Sequence, residues 1–512
     1  MRQLVFTVVI ISALLSLCTS QIILPSLFSD NVILQRDAIE CIKGKAGANN
    51  IIALYIPDCQ AQSVFSNSRG EFEICFRVGR ATTRGYTMTL RESRFFGPVI
   101  STTVIRNVRN GDRYLFYGQS NVKFTVAMGF NASAEAASAN YEDIAFWSAK
   151  DAYSSTPLEQ AAHELENGWN NATPFVVGGG NWTHTSALAY FFARDLYLSL
   201  DKKVPIGIVI AAYNGVPIQS LSSPDALARC PPISATQTRP QNMPSVVYNA
   251  MIHPFLTSKF KALVFWQGEG DLYDQSVYEC QLTEMVRDHR SKFGDLSLPF
   301  FNIGISAYFR NVTGEQLFAN LRILQQTLDL PRTYLVPALD YGDRQVDLAN
   351  QTGIALTQLR ALYLAFGIHP RNKQPIAKRL LNIVLSVLYN KRVDISYPTL
   401  SKVQKANQRR DSSKLEVTIK LKNGKDLELK PTVDCVSCCG SSGIENAFKF
   451  KYSNGTISQP DSITINTNNS VELVMQNGTN IVAVEYAYDD YPQCVLYNKA
   501  GLPLEQFRKT IG

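Results

Sequence analysis

Four short polar segments in the middle of this chain each follow an apolar run of strand length. Gly118-Gln119-Ser120-Asn121 follows Arg113–Tyr117, and Tyr213-Asn214-Gly215 follows Ile206–Ala211. Gln267-Gly268-Glu269-Gly270-Asp271 follows Ala262–Trp266, and Asp340-Tyr341-Gly342-Asp343 follows Tyr334–Leu339. A serine on a tight strand-to-helix turn presents its hydroxyl, and its own N–H can face an oxyanion. That is the chemistry of acyl transfer, and it requires a base. The chain offers five histidines. His163 and His184 lie in a polar stretch with no strand end, and His253 sits in Met251-Ile252-His253-Pro254 at a helix end. His289, after Arg287-Asp288 in a charged amphipathic helix, is expected to be solvated. His369 lies in Gly367-Ile368-His369-Pro370, just before the helix-like Lys373–Tyr389. A late loop is where the base of many serine hydrolases arrives. Two readings stand for His369: the base, or a capping or packing residue.

These segments need a scaffold. From about 113 to 392, the apolar runs (with Phe300–Ile305) alternate with helix-like Thr185–Leu200, Asp271–Phe293 and Glu315–Leu328. The pattern predicts an α/β domain, a parallel sheet covered on both faces. Sites in such sheets form at the carboxyl ends of strands, so the four polar segments converge on one cleft. Residues 21–112 carry short β-rich runs, Ile51–Ile56, Glu71–Val78, Tyr86–Arg91 and Val99–Ile105, and predict an N-terminal β-sandwich-like module. Residues 393–512 return to β character, and Leu415–Lys430 alternates around Asn423-Gly424, which predicts a hairpin. Lys402, Lys405, Arg409, Arg410 and Lys414 form a basic stretch, read as a solvated loop rather than a polyanion site.

Six segments, in order, resemble the sialate O-acetylesterase family, a branch of the flavodoxin-like serine esterases called SGNH hydrolases. They are Phe28–Arg36, Gly118–Asn121, Pro205–Gly207, Tyr248–Pro254, Gln267–Glu269 and Ile368–Lys373. The resemblance implies a flavodoxin-like domain between the two β modules and a serine esterase that removes O-acetyl groups from carbohydrate. O-acetylated sialic acid is the implied substrate. A broader, xylan-type acetylesterase and a catalytically weak glycan-binding relative are the alternatives. Carried over by position, Ser120 is the nucleophile, His369 its base, and Gly215 supplies an oxyanion N–H. Gln267 is a polar contact to the oxyanion or acyl group, with Asn121 and Glu269 beside it. Glu269 reads as a loop support more readily than as an acid. Trp266 and Tyr213 read either as sugar-stacking rings or as caps of the sheet. No metal or organic cofactor is implied, and the absence of a G-x-S-x-G elbow disfavours the α/β-hydrolase fold.

The departures from the family pattern are specific. Val122 replaces a methionine, Asn214 the first glycine of a Gly-Gly pair, and Gly270 a serine. Phe366 and Gly367 stand where an aspartate usually precedes the histidine, and the segment Gln345–Phe366 is longer than the family's connection. Asp340, Asp343 and Asp271 are therefore the candidate carboxylates to orient His369, against a backbone carbonyl.

Composition agrees with an exported globular protein. The chain has 512 residues, 45% hydrophobic and 18% charged, enough for a large core. Its net charge of +7 is too thin over that length to predict a nucleic-acid partner. Residues 1–20 read as a signal peptide: Arg2, an apolar run Leu4–Leu17, and Cys18-Thr19-Ser20. No other apolar run reaches the ~18 residues of a membrane span, so no stable membrane anchor is predicted. Nine cysteines follow, predicting disulfides with one left over, and the Cys435, Cys438, Cys439 cluster lacks the ligands for a zinc site. Eight N-glycosylation sequons, at Asn131, Asn171, Asn181, Asn311, Asn350, Asn454, Asn468 and Asn477, fit a secreted or lysosomal glycoprotein.

Overall fold

A computed structural model describes residues 21–165, 167–232, 238–308, 316–343, 367–405, 414–432 and 447–511. The expected signal peptide, the Gln345–Phe366 segment, the Cys435, Cys438, Cys439 cluster, Asn311, Asn350, Arg409 and Arg410 lie outside them.

The centre is a parallel sheet. Across it, the strands run Thr333–Val336, Phe300–Ile303, Ala262–Trp266, Val99–Gly118, Ile206–Ala212 and Tyr141–Ser148. Adjacent pairs along this order are parallel. Every residue of Ile206–Ala212 is buried, as the continuous apolar run requires of a strand covered twice. Side chains alternate between two cores: Leu115 and Tyr117 enter one, Tyr114 and Phe116 the other. Helices Ala187–Ser199 and Gln374–Tyr389 cover the Tyr114 face. Helices Tyr278–Lys292 and Leu317–Gln326 cover the opposite face.

After the central strand, the chain skips one place outward to Tyr141–Ser148 and returns to fill the gap with Ile206–Ala212, beside the central strand. It then crosses to the other side, starting with Ala262–Trp266. The reversal lies beside the end of Val99–Gly118, where open α/β sheets form their clefts. Registers align the edge: Gly118 pairs with Ala212 on one side and with Trp266 on the other.

The strand Val99–Gly118 runs through the expected junction at 112 and 113. Its first part pairs antiparallel with Thr82–Ser93 in the N-terminal β region, and its last part is the central strand of the parallel sheet. A buried ion pair, Arg113 to Glu40 at 2.8 Å, ties the two regions at the crossing. The C-terminal strands form sheets of their own around a separate core containing Val417, Phe450, Leu473 and Leu496. Tyr497 donates to Asp340 at 2.6 Å and Arg322 to Gln506 at 2.6 Å, joining this module to the parallel-sheet region.

Several expectations need correction. Leu415–Lys422 and Glu428–Pro431 do not form a hairpin: the first pairs with Thr399–Lys405 and Ser470–Met475, the second with Cys494–Tyr497. The connection is five residues, not two, and Asn423 and Asp426 both take positive φ, so the chain leaves one sheet for another. Lys402 and Lys405 lie on a strand, not a loop. Strand Tyr141–Ser148 was absent from the sequence reading because its first three residues are polar and its apolar run, Ile144–Trp147, is short. His289 is fully buried, not solvated. Its neighbours Asp288 and Arg290 turn inward too, Asp288 accepting from Ser223 at 2.6 Å and Arg290 donating to the Leu298 carbonyl at 2.8 Å.

Disulfides join Cys41 to Cys75 and Cys230 to Cys280, and Cys494 is also disulfide-bonded. Cys59 is free and exposed among the described residues. No described helix is long and apolar enough to cross a membrane.

Candidate active site

Ser120 opens the turn after the central strand, in a short helix Ser120–Lys123. The turn depends on Gly118, at φ +134, where an added Cβ would lie 2.2 Å from the Trp266 carbonyl oxygen. His369 arrives from the loop ahead of helix Gln374–Tyr389. Its Nε2 lies 2.6 Å from Ser120 Oγ, although 249 positions separate the two in sequence. Ser120 is 6% exposed and His369 8%, so both sit at the floor of the edge. Burial first, and then the Lys373 ammonium, pull the imidazole down to about 3, which favours the neutral form a base requires.

Around this pair the strand-end loops interlock. Asn121 donates to Glu269 at 2.6 Å and to the Ile368 carbonyl at 3.2 Å, and accepts from Lys373 Nζ at 2.5 Å. Gln119 donates to the other Glu269 oxygen at 2.7 Å and accepts from the Gly270 N–H at 3.2 Å. Glu269 therefore braces two loops at once, and burial pushes its carboxyl up to about 7. Gly270 fits this closure, since a Cβ there would lie 2.3 Å from the Val216 carbonyl oxygen. The serine of the family pattern would collide.

Gly215 stands on the loop after Ile206–Ala212, exposed and at φ +69. Tyr213 donates its N–H to the Gly118 carbonyl at 3.1 Å, fixing this loop against the Ser120 turn. Gln267 is placed differently from the sequence reading. It is fully buried, and its amide donates to the Val216 carbonyl at 3.1 Å and to Asp271. With both N–H groups committed there, it supports the Gly215–Val216 loop rather than contacting an oxyanion.

The three carboxylates proposed to orient His369 are bonded elsewhere. Asp340 takes Arg379 in a bidentate pair at 2.6 Å, Asp343 binds Arg371 at 2.5 and 2.8 Å, and Asp271 accepts from the Ile218 N–H at 2.9 Å. Trp266 is fully buried, so it belongs to the sheet and not to a sugar platform. The sequence reading missed the ring that does flank His369. Trp182, held at φ +67, packs edge-on to the imidazole with centroids 5.2 Å apart. Its signal was hidden because Asn181-Trp182-Thr183 reads as a glycosylation sequon on a loop. Phe124 lies on the imidazole too, with centroids 6.3 Å apart.

A serine hydroxyl against a neutral imidazole, beside a glycine loop at a sheet's switch point, suits attack on an ester carbonyl. Comparison with known proteins agrees. The family described as carbohydrate esterase, sialic acid-specific acetylesterase matches residues 110–361. Mouse sialate O-acetylesterase is 26% identical over 468 residues, covering 79% of this chain and 78% of the mouse protein. The human enzyme of that name is 26% identical over 440 residues, covering 79% and 76%.

Residues 110–361 of the chain form a domain of this acetylesterase family. The protein is a carboxylic ester hydrolase of the carbohydrate-esterase type. Its fold is also that of a carbohydrate acetylesterase from Xanthomonas citri, at TM-score 0.75 and 24% identity, covering 95% of this chain and 99% of the other. The family match ends at 361, before His369, so the imidazole is placed by the geometry above and not by that alignment.

Proposed function

We propose that the protein is an exported serine esterase that removes O-acetyl groups from sialic acid through an acetyl-enzyme. The observation that carries this reading is the 2.6 Å contact between His369 Nε2 and Ser120 Oγ at the sheet's switch point. Ser120 Oγ attacks the acetyl carbonyl carbon while His369 takes its proton. The oxyanion forms beside the N–H groups of Ser120 and Gly215, with Gln267 holding the Gly215–Val216 loop in place. Collapse breaks the bond to the sugar oxygen, which receives the proton from His369. Water then gives a proton to His369, attacks the acetyl carbon, and acetate leaves as the proton returns to Ser120. The names of the curated relatives support sialate as the substrate. The apolar leader, the sequons and the disulfides support export to a secretory or lysosomal compartment with N-glycans attached.

The test is turnover by the purified, secreted protein on O-acetylated sialic acids beside acetylated xylan fragments, with and without a serine-directed phosphonate. Preference for the sialates, abolished by the phosphonate, is expected. Preference for xylan fragments would replace the substrate. Activity untouched by the phosphonate would remove Ser120 as nucleophile.

A further inference from the structure

Lys373 is not needed for any proton transfer in the esterase reaction, yet it is among the most enclosed cations in the protein. It is 1% exposed, and its ammonium lies 4.4 Å over the Trp266 ring and 4.9 Å over the Phe124 ring. Its hydrogen bond goes to Asn121 Oδ1, at 2.5 Å. The Glu269 and Asp343 carboxylates act on the ammonium from nearby, yet burial outweighs them, so enclosing this charge is costly and a methionine would fill the same space more cheaply. The position therefore asks for a role.

Its connections lead directly to the Ser120–His369 pair. Asn121 follows Ser120 in sequence, and its amide donates to the carbonyl of Ile368, the residue before His369. An amide can be flipped, exchanging donor and acceptor ends. The Glu269 carboxylate and the Ile368 carbonyl call for Nδ2 at one end, and Lys373, an N–H donor facing Oδ1, secures the other. Phe124, which carries the ammonium on its face, also lies against the His369 ring. The charge is thus within one ring of the imidazole, on its helix side.

Resting on the esterase reading above, we propose that Lys373 is a positioning residue with two effects. Its hydrogen bond locks Asn121, and through it the backbone that sets the Ser120–His369 contact, and its buried charge opposes protonation of His369. The charged groups on the elements packed around His369, among the described residues, are few. Arg371 and Lys373 share its loop, Glu269 comes from the turn after Ala262–Trp266, and Asp343 from the loop after Thr333–Val336. Lys123 comes from the Ser120 helix. Asp343 is occupied by Arg371, and Lys123 pairs with Asp151 and Glu164. Glu269 opposes Lys373, but burial pushes its carboxyl up to about 7, so it loses charge in acid while the ammonium gains it. Lys373, pulled down to about 7 by burial, is charged over the range in which a histidine base would be lost. The arrangement keeps His369 neutral in acid, where an ordinary histidine would be spent.

The experiment compares pH profiles of kcat/KM, and of phosphonate inactivation, for Lys373→Met, Lys373→Gln and Lys373→Arg. Ser120→Ala is the control. Lys373→Met should lower kcat about 10- to 100-fold with little change in KM, and move the acid limb up by about one pH unit, since the opposing charge is gone. Lys373→Gln keeps an N–H for Asn121 and should recover much of kcat while leaving the limb displaced. Lys373→Arg should keep the wild-type limb. Lys373→Met combined with Asn121→Leu should cost no more than the worse single change, because both break one clamp. If the Met variant does not fold, the Gln and Arg pair still separates charge from hydrogen bond. A wild-type limb in the Gln variant overturns the electrostatic effect, and wild-type kcat in a folded Met variant overturns the clamp. Undiminished activity in Ser120→Ala would instead overturn the esterase reading itself.

Discussion

Two histidines in this protein sit in similar surroundings. His369 is buried, bonded to Ser120 Oγ at 2.6 Å and edge-on to Trp182. His289 is buried, bonded through Nδ1 to the Tyr117 hydroxyl at 3.0 Å and stacked on Tyr248 with centroids 5.8 Å apart. Burial lowers both, His369 to about 3 and His289 to about 4. Tyr117 and Ser120 are even near neighbours in sequence. A hydroxyl–imidazole pair with a depressed imidazole is therefore not enough to make a site. Tyr117 is still inside the strand and points into the core under helix Tyr278–Lys292, and burial holds its phenol well above 10. Ser120 lies past the strand's end, where Gly118 turns the chain and three other loops meet it. The difference between the regions is access, supplied by the switch point.

The strongest way to break this comparison is at the two hydroxyls. Ser120→Ala should lower acetyl-ester hydrolysis by at least ~10³-fold with an unchanged thermal midpoint, since the covalent step is lost. Tyr117→Phe should leave turnover per folded molecule within about twofold. If the tyrosine variant were the inactive one, the two assignments would be reversed. His369→Ala should approach the loss of Ser120→Ala, because serine and base act as a unit and their losses do not add. A double variant that lost far more than either single change would separate them.

Of these two histidines, the sequence singled out His369 as a candidate base and misjudged the exposure of His289. His369 was legible because it sits in a short loop between Gly367 and Pro370, ahead of an amphipathic helix, with few competitors of its type. His289 was not, because Arg287, Asp288 and Arg290 around it read as a wet helix face. In the fold, Asp288 and Arg290 satisfy themselves against Ser223 and the Leu298 carbonyl, so local charge ceased to report exposure. Strand ends were likewise legible, since continuous apolar runs stop at glycine and polar residues. What the loops do to one another was not. The bracing by Glu269, the diversion of Gln267 to Val216 and the packing of Trp182 on His369 are contacts between segments distant in sequence, and period or composition carries no trace of them. Asn423-Gly424 failed for a related reason: a turn signal fixes local backbone, while the choice of partner strand is made by the separate cores on which the flanking segments pack.

A smaller effect tests what orients His369. Each candidate carboxylate has another partner, Asp340 with Arg379, Asp343 with Arg371, and Asp271 with the Ile218 N–H. Asp340→Asn, Asp343→Asn and Asp271→Asn should each lower turnover by less than about 10-fold, well short of His369→Ala. Asp343→Asn should cost the most of the three, since Arg371 belongs to the histidine loop. One carboxamide variant as inactive as His369→Ala would show that the carboxylate reaches the ring during the reaction.

The smallest effect on activity, and the sharpest contrast with His369, is expected from His289→Gln. Turnover per folded molecule should stay near wild type, because the rings this imidazole bonds and stacks on, Tyr117 and Tyr248, lie in the core under helix Tyr278–Lys292. Stability should respond instead, and its sign follows from proton binding. In the unfolded chain a histidine takes a proton as pH falls through about 6.5. In the fold, His289 refuses it until about 4, because burial disfavours the imidazolium. Between those values the unfolded state holds more protons, so stability falls as pH falls, by up to about 3 kcal/mol in total from this one group. Glutamine cannot titrate, so His289→Gln removes that acid penalty while keeping an amide to bond the Tyr117 hydroxyl. Urea unfolding of both proteins at pH 7, 5.5 and 4 measures the difference directly, and His369 and the buried carboxyls cancel because both proteins contain them. The variant should be less stable than wild type at pH 7 and regain ground steadily toward pH 4. A difference that stays flat across that range would mean His289 is protonated as easily in the fold as in water, and the likeness between the two histidines would then end at geometry.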